Sequence, residues 1–325
     1  MRRWTSLLVG SLVLLASFVP LQAAEPPLIR LGHGPSNEEP VWLMAVRPDL
    51  TPNQGKHYRL KLTPFLGVND RFQAYVAKEI DAGTAPPFSV IFARSRGVDM
   101  KIVAGIMQEA KGEHFSTTFM VKDGSPIKSP ADLKGATIGI LGPKTSPDLH
   151  ARAYLLKHGL VPDKDVKLVP MPFPAMGPGV RSDKISVGAF TEPFYSAERA
   201  KGGLRPLFTG IEAMGYDHDL LDVWFGEKFI AAHPDAVRAY LADYVAVTKH
   251  YLANKEPVKR EIHKAGFVRA PLDAYLKLVE YRRDPNARVD VESLKRVAVF
   301  MREKLNWLEA PVDVDAAVDQ SFLPK

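Results

Sequence analysis

Apolar positions along this chain change period repeatedly, as alternating strands and helices require. Residues 28–31, Leu-Ile-Arg-Leu, form a short apolar run that predicts a first strand ending at Gly32. Residues 58–62 alternate strictly between polar and apolar, the pattern of a half-buried strand. Asn69 and Asp70 can cap a helix that turns Phe72, Tyr75, Val76 and Ile80 inward, with Gly83 as its stop. Pro87 opens another helix with Phe88, Ile91 and Phe92 on its inner face, and residues 100–104 read as a strand. This βαβ-type set spans residues 28–106.

A second set begins near Thr117. Residues 118–121, 137–141, 166–169 and 186–190 predict strands, and residues 132–135 a short helical turn ending in Gly. Ser146 caps a helix with Pro147 at its first position, running to a stop at Gly159. Residues 171–179, Met-Pro-Phe-Pro-Ala-Met-Gly-Pro-Gly, predict a turn-rich loop. From Phe229 onward the pattern is helical. Val237, Leu241, Tyr244, Thr248 and Tyr251 recur at helical spacing, and further helices fit 257–265, 271–281 and 290–305. Alternation followed by a run of helices predicts an α/β architecture whose late helices pack back on the first set.

Composition narrows the class. At 325 residues the chain is long enough for two domains, and 46% apolar with 25% charged residues is an ordinary globular balance. The absence of Cys excludes disulfides, thiolate zinc sites, iron–sulfur clusters and Cys nucleophiles. Lys and Arg number 43 against 37 acidic residues, yet no run of five basic residues occurs, which argues against a nucleic-acid groove. Met1-Arg2-Arg3, an apolar stretch over 7–19 and Ala23-Ala24 read as a charged start, a hydrophobic core and a cleavage zone. Residues 1–24 are therefore expected to be a cleaved signal peptide, with the mature chain in the periplasm. No later segment is apolar enough to span a bilayer, so an integral membrane protein is not expected.

Four segments fall at strand ends, where α/β folds bind ligands. Gly142–Pro147 follows a strand and opens a helix, and its N–H groups with Lys144, Thr145 and Ser146 suit an anionic head group. Asp148 in the first turn complements the same dipole, so an ordinary capped helix also fits. In Asp81–Pro87, small residues let a ligand approach and Thr84 can donate; a plain helix–helix turn is the other reading. In Gly32–Glu39, Ser36 and Asn37 either meet a ligand or cap the next helix, with Glu38 and Glu39 complementing its dipole. In Phe190–Pro193, Glu192 either accepts from a ligand or holds a loop. No catalytic constellation emerges: Asp217-His218-Asp219 lacks a converging third metal ligand, and Ser146, Asp148 and His150 lack a nucleophile elbow. Neither a metal nor a cofactor is expected.

The same segments, in order, carry a family resemblance. They are Ile29–Ser36, Ala77–Gly83 with Pro86 and Gly97–Val103, Ser125–Ile140 with Leu155–Leu160, and Thr191–Pro193 followed by His233–Val237. The chain resembles periplasmic solute-binding components of ABC importers of the nitrate/sulfonate/taurine type, related to thiamine-precursor binders. The resemblance implies a two-lobed, type II-like α/β fold, each lobe a mixed sheet flanked by helices, with crossover hinges near 112–120 and 212–225. Lobe one would be 25–115 plus 216–325, and lobe two 116–215. Hinge bending would close the cleft on ligand.

Carried over by resemblance, the cleft residues are His33, Ser36 and Asn37; Gly83, Thr84 and Ala85; Lys144, Thr145 and Ser146; and Thr191 with Glu192. Many relatives have Trp where this chain has Thr191, and Gly177–Lys184 replaces a common Ala-rich helix. Arg181 and Lys184 there either add charge to the rim or are solvated. The expected function is capture of a small organic anion, a sulfonate or carboxylate, by a monomer that delivers it to an ABC permease. A pyrimidine or thiamine-precursor binder, and an enzyme on the same fold, are the alternatives.

Overall fold

Strand β1 (Leu28–His33) is the centre from which the first half of the molecule is built. It pairs in parallel with β2 (Arg59–Pro64) on one side and β3 (Ala82–Ala85) on the other. Our computed structural model describes residues 25–325, so the expected signal segment 1–24 lies outside the described residues. Helices α1 (Glu39–Val46), α2 (Val68–Val76) and α3 (Pro87–Ser95) connect these strands, and β4 (Met100–Glu109) ends the set.

The chain then crosses to a second sheet. Its elements are β5 (Thr118–Lys122), β6 (Thr137–Ile140), α4 (Ser146–Lys157), β7 (Lys167–Pro170), α5 (Phe173–Arg181), β8 (Val187–Phe190), α6 (Phe194–Lys201), β9 (Leu204–Thr209) and α7 (Gly210–Met214). It returns through β10 (His218–Gly226) and continues as α8 (Glu227–Ala232), α9 (Pro234–Ala253), α10 (Lys255–Lys264), α11 (Leu272–Leu276), α12 (Val291–Glu303) and α13 (Val314–Ala317).

The sheets run β2-β1-β3-β10-β4 and β7-β6-β8-β5-β9. In each, three parallel strands meet one antiparallel strand contributed from across the molecule: β10 in the first and β5 in the second. Sheet one is buried on both faces. Trp42, Tyr58, Tyr240 and Tyr244 pack on one side; Phe88, Trp224, Leu294 and Met301 pack on the other. Sheet two has its own core around Phe119, Ile138, Tyr154, Met176 and Phe208.

Five elements differ from the sequence reading. The span 81–87, expected as a turn, contains β3, thin because a Cβ on Gly83 would meet Trp224 Cζ2 at 2.7 Å. The loop expected over 171–179 is α5: Pro174 sits in the first turn, where no donor is needed, and Phe173, Met176 and Val180 bury one face. The crossover expected near 212–225 contains β10, every residue of which is buried. The helix expected over 271–281 stops at Leu276. In α2 the inward face is Val68, Arg71 and Ala74, while Val76 is exposed. Phe72 and Tyr75 still pack against the core, half-buried, and Ile80 is buried beyond the end of the helix.

Candidate functional site

The carboxyl ends of the parallel strands in both sheets face one another across a cleft enclosing about 590 Å³, part of it open to solvent. The loop after β1 contributes Gly34, Pro35, Ser36 and Glu38; α2 contributes Val68 and Arg71; β4 and β10 contribute Met107, Leu220 and Leu221. From the other side come Thr117, Leu141, Thr145, Ser146, Pro147, Phe173 and Thr191. The wall is mainly apolar, with hydroxyls and one acid–base pair set into it.

Glu38 and Arg71 form that pair, only 1% and 5% exposed. Glu38 Oε1 accepts from Gly34 N at 2.7 Å and from the Thr84 hydroxyl at 3.0 Å. Arg71 Nη1 donates to Thr84 Oγ1 at 2.8 Å and lies 3.4 Å from Glu38 Oε1. Burial pulls the Arg71 guanidinium below its ordinary range, and the Glu38 charge opposes that pull. A side chain at Gly34 would collide with both groups, its Cβ 2.6 Å from Glu38 Oε1. The backbone therefore has to be bare where it wraps the pair.

On the facing lobe, Thr145 is the N-cap residue of α4 and its hydroxyl donates to Gly142 O at 2.7 Å. Ser146, not the cap as expected, is the first helical residue, and Pro147 follows it. The start of a twelve-residue helix thus opens on the cleft, carrying about half a positive unit charge. Asp148 lies behind it, accepting from Lys144 N at 2.7 Å and from Arg152 Nε at 2.7 Å. Its burial raises its carboxyl above the usual range despite Arg152.

Of the residues singled out in the sequence, Ser36, Thr145, Ser146 and Thr191 line the cleft. His33 does not. It is buried with Trp42 Nε1 3.0 Å from its Nδ1 and with Phe267 against its ring. Gly83 and Ala85 are buried in β3, and Thr84 acts from behind through Glu38 and Arg71.

Asn37, Lys144 and Glu192 instead tie the lobes together. Asn37, at φ +58°, a conformation Asn tolerates, donates from Nδ2 to Glu192 O at 2.6 Å. Ser89 Oγ donates to Lys144 O at 2.9 Å. Lys144 Nζ sits 4.6 Å from the Phe92 ring centroid and 5.8 Å from that of Trp307. The Glu192 carboxylate accepts from Ser196 N and Oγ in the first turn of α6, and burial raises it above the usual range.

Other motifs disperse. Asp217 bonds Arg282 and Lys111 N, Asp219 bonds Gln108 and Asp290 N, and His218 meets His150. Arg181 pairs with Glu198 beyond the cleft. Arg71 and Phe173 are among the cleft residues the sequence reading did not anticipate, with Leu66, Val68, Met107, Leu141, Leu220 and Leu221. The available signal for Arg71 was its place between Val68 and Ala74 on one helical face.

The chain matches the family described as NMT1/THI5 like over residues 60–256. An Escherichia coli (strain K12) protein named for binding aliphatic sulfonates is 24% identical over 212 residues, 65% of this chain. That match spans 64% of the relative's length, under two thirds of it. Among solved structures, the periplasmic aliphatic sulphonate binding protein of Escherichia coli superposes with a TM-score of 0.71 at 17% identity, over 91% of this chain and 92% of its own. The periplasmic nitrate-binding protein of Synechocystis PCC 6803 gives a TM-score of 0.71 at 14% identity, over 92% and 88%. The alkanesulfonate-binding protein of Xanthomonas axonopodis pv. citri gives 0.70 at 17% identity, over 91% and 99%. The fold is the two-lobed periplasmic binding protein fold.

Proposed function

Because this chain belongs to the NMT1/THI5-like family, we propose that it is an extracytoplasmic solute-binding protein of an ABC importer. It captures a small organic acid, a sulfonate or carboxylate with an apolar body, and hands it unchanged to a permease. In this reading residues 1–24 direct export to the periplasm and are removed. Residues 25–115 with 216–325 form lobe one, residues 116–215 form lobe two, and a monomer carries the solute.

The observation that carries the acid class is the pairing of Arg71 with the start of α4 across an apolar cleft. A guanidinium and free helical N–H groups both favour an oxyanion. Leu66, Leu141, Phe173, Leu220 and Leu221 suit the apolar remainder of such a molecule. The names of the relatives point the same way. The sequence reading rested the anion on Lys144, whose amine is spent on Phe92 and Trp307; Arg71 replaces it. The thiamine-precursor reading rested on Glu38, Glu39 and Glu192; the Glu192 carboxylate is held by Ser196 and that of Glu39 by Arg283 and Tyr275, and of the three only Glu38 lines the cleft.

Calorimetry of the purified protein against alkanesulfonates, aromatic carboxylates, pyrimidines and organic cations tests the proposal. Binding of at least one organic acid, with release of the same molecule intact, is expected. Tight binding of a cation or a neutral heterocycle with no response to any acid would overturn it.

A further inference from the structure

Polar atoms of the cleft are unevenly satisfied. Glu38 Oε1 holds the Gly34 N–H and the Thr84 hydroxyl, while Oε2 of the same carboxylate is buried with no partner. Arg71 Nε and Thr191 Oγ1 are buried without partners as well. All three residues line the cleft, two from lobe one and Thr191 from lobe two. A buried polar group left unpaired is costly, more so if charged, and folded proteins leave few of them. Three such atoms around one cavity are explained by a group that enters it.

Their chemistry restricts that group. Arg71 Nε can only donate, so it calls for an acceptor. An ionised carboxylate can only accept, so Glu38 Oε2 calls for a donor. A simple anion answers the first and is repelled by the second. Arg71 and Glu38 also cancel in charge, and no other ionisable side chain lines the cleft among the described residues. A cavity of balanced charge suits a solute that carries both an acid and a donor.

Resting on the reading of this cleft as the solute site, we infer that Glu38 is a specificity-determining residue that selects acids also bearing an N–H donor. The donor is a protonated amine or a ring N–H that reaches Oε2. An acid of the same size without it leaves Oε2 unpaired and brings its own charge toward it. The expected discrimination is roughly tenfold to hundredfold.

The test is a calorimetric comparison of matched pairs on the native protein: propane-1-sulfonate against 3-aminopropane-1-sulfonate, and cyclopentanecarboxylate against imidazole-4-carboxylate. In at least one pair the N–H member should bind tenfold or more tightly, and Glu38→Gln should remove that preference while a melting curve shows the variant folded. Equal or weaker binding of the N–H member in both pairs overturns the inference and leaves the solute-binding reading standing. A preference that survives intact in Glu38→Gln also overturns it. Failure of every acid in the wider panel overturns the underlying reading and this inference together. Should Glu38→Gln not fold, the native pairs alone decide.

Discussion

Nε2 of His150 and Nε2 of His218 stand 3.0 Å apart, joining α4 of the second lobe to the start of β10 in the first. The Tyr216 carbonyl, 3.0 Å from His218 Nδ1, places a proton on that nitrogen. His218 Nε2 therefore accepts and His150 Nε2 donates, leaving His150 Nδ1 buried and unpartnered 4.0 Å from Glu109 Oε1. Both rings are held neutral by burial, which lowers His218 to about 4 and carries His150 below the usual histidine range.

A pH dependence follows. A histidine whose folded value is depressed contributes stability that is present above about 6.5 and is lost as pH falls toward about 4. Asp219, raised to about 6 by burial, works in the opposite sense: its contribution is present below about 3.8 and is lost as pH rises through about 6. Comparing native protein with His218→Gln cancels the Asp219 contribution. The free energy of denaturant unfolding at pH 7.5, 5.5 and 4.5 should fall more steeply for the native chain, by about 2.5 kcal/mol across that range. Parallel curves would show that the pair is not the titrating element.

Replacing Asn37 with Gly keeps the left-handed backbone and deletes the bond to Glu192 O. Loss of one such bond, about 1 kcal/mol, shifts the balance between closed and open forms roughly fivefold. Small-angle scattering of unliganded Asn37→Gly should show a larger radius of gyration than the native protein, with solute affinity reduced severalfold. An unchanged scattering profile would mean the lobes are held elsewhere.

Arg71→Lys should weaken acid binding at least tenfold, because a point charge replaces a planar donor that has an unused Nε. Lys144→Ala should reduce it only severalfold, through loss of the cation–π contacts to Phe92 and Trp307. Titration calorimetry on both variants decides. A larger loss at Lys144 would return the anion to the residue favoured by the sequence.

Arg283 pairs with Glu39 at 2.5 Å and donates to Asn37 O at 2.9 Å and Ile106 O at 3.0 Å, all of it buried. Arg283→Ala leaves the buried Glu39 carboxylate without its counter-charge, held only by the Tyr275 hydroxyl, at a cost of about 4 kcal/mol. Denaturant unfolding should report it. Arg283→Ala together with Glu39→Leu should recover a large part. If the double variant is no better than the single, the charge imbalance is not the cause.

How much of this was legible depended on the kind of signal. The repeat of Val237, Leu241, Tyr244, Thr248 and Tyr251 is unmistakable because all five are buried on one face of α9. Strand β3 was hidden because Ala-Gly-Thr-Ala has neither branched nor aromatic residues, and its thinness is what Trp224 requires. Strand β10 was hidden because Asp219 and Asp222 look like loop residues, although each is buried. Helix α5 was hidden by its prolines. At the site, strand-end loops could be located from sequence, but which side chains they aim inward could not. Ser36 faces the cleft while neighbouring Asn37 reaches the opposite lobe, and Ser146 faces it while Lys144 does not. Those choices are made by backbone dihedrals, such as φ +58° at both Asn37 and Lys144, that no periodicity encodes.

The hydrogen bonds that Asn37 and Ser89 send between the lobes run to main-chain carbonyls on the far side. Any amino acid at positions 192 and 144 supplies the same oxygen. Those two fastenings are thereby indifferent to the side chains at 192 and 144, so evolution or an engineer can rewrite that edge of the second jaw and keep both.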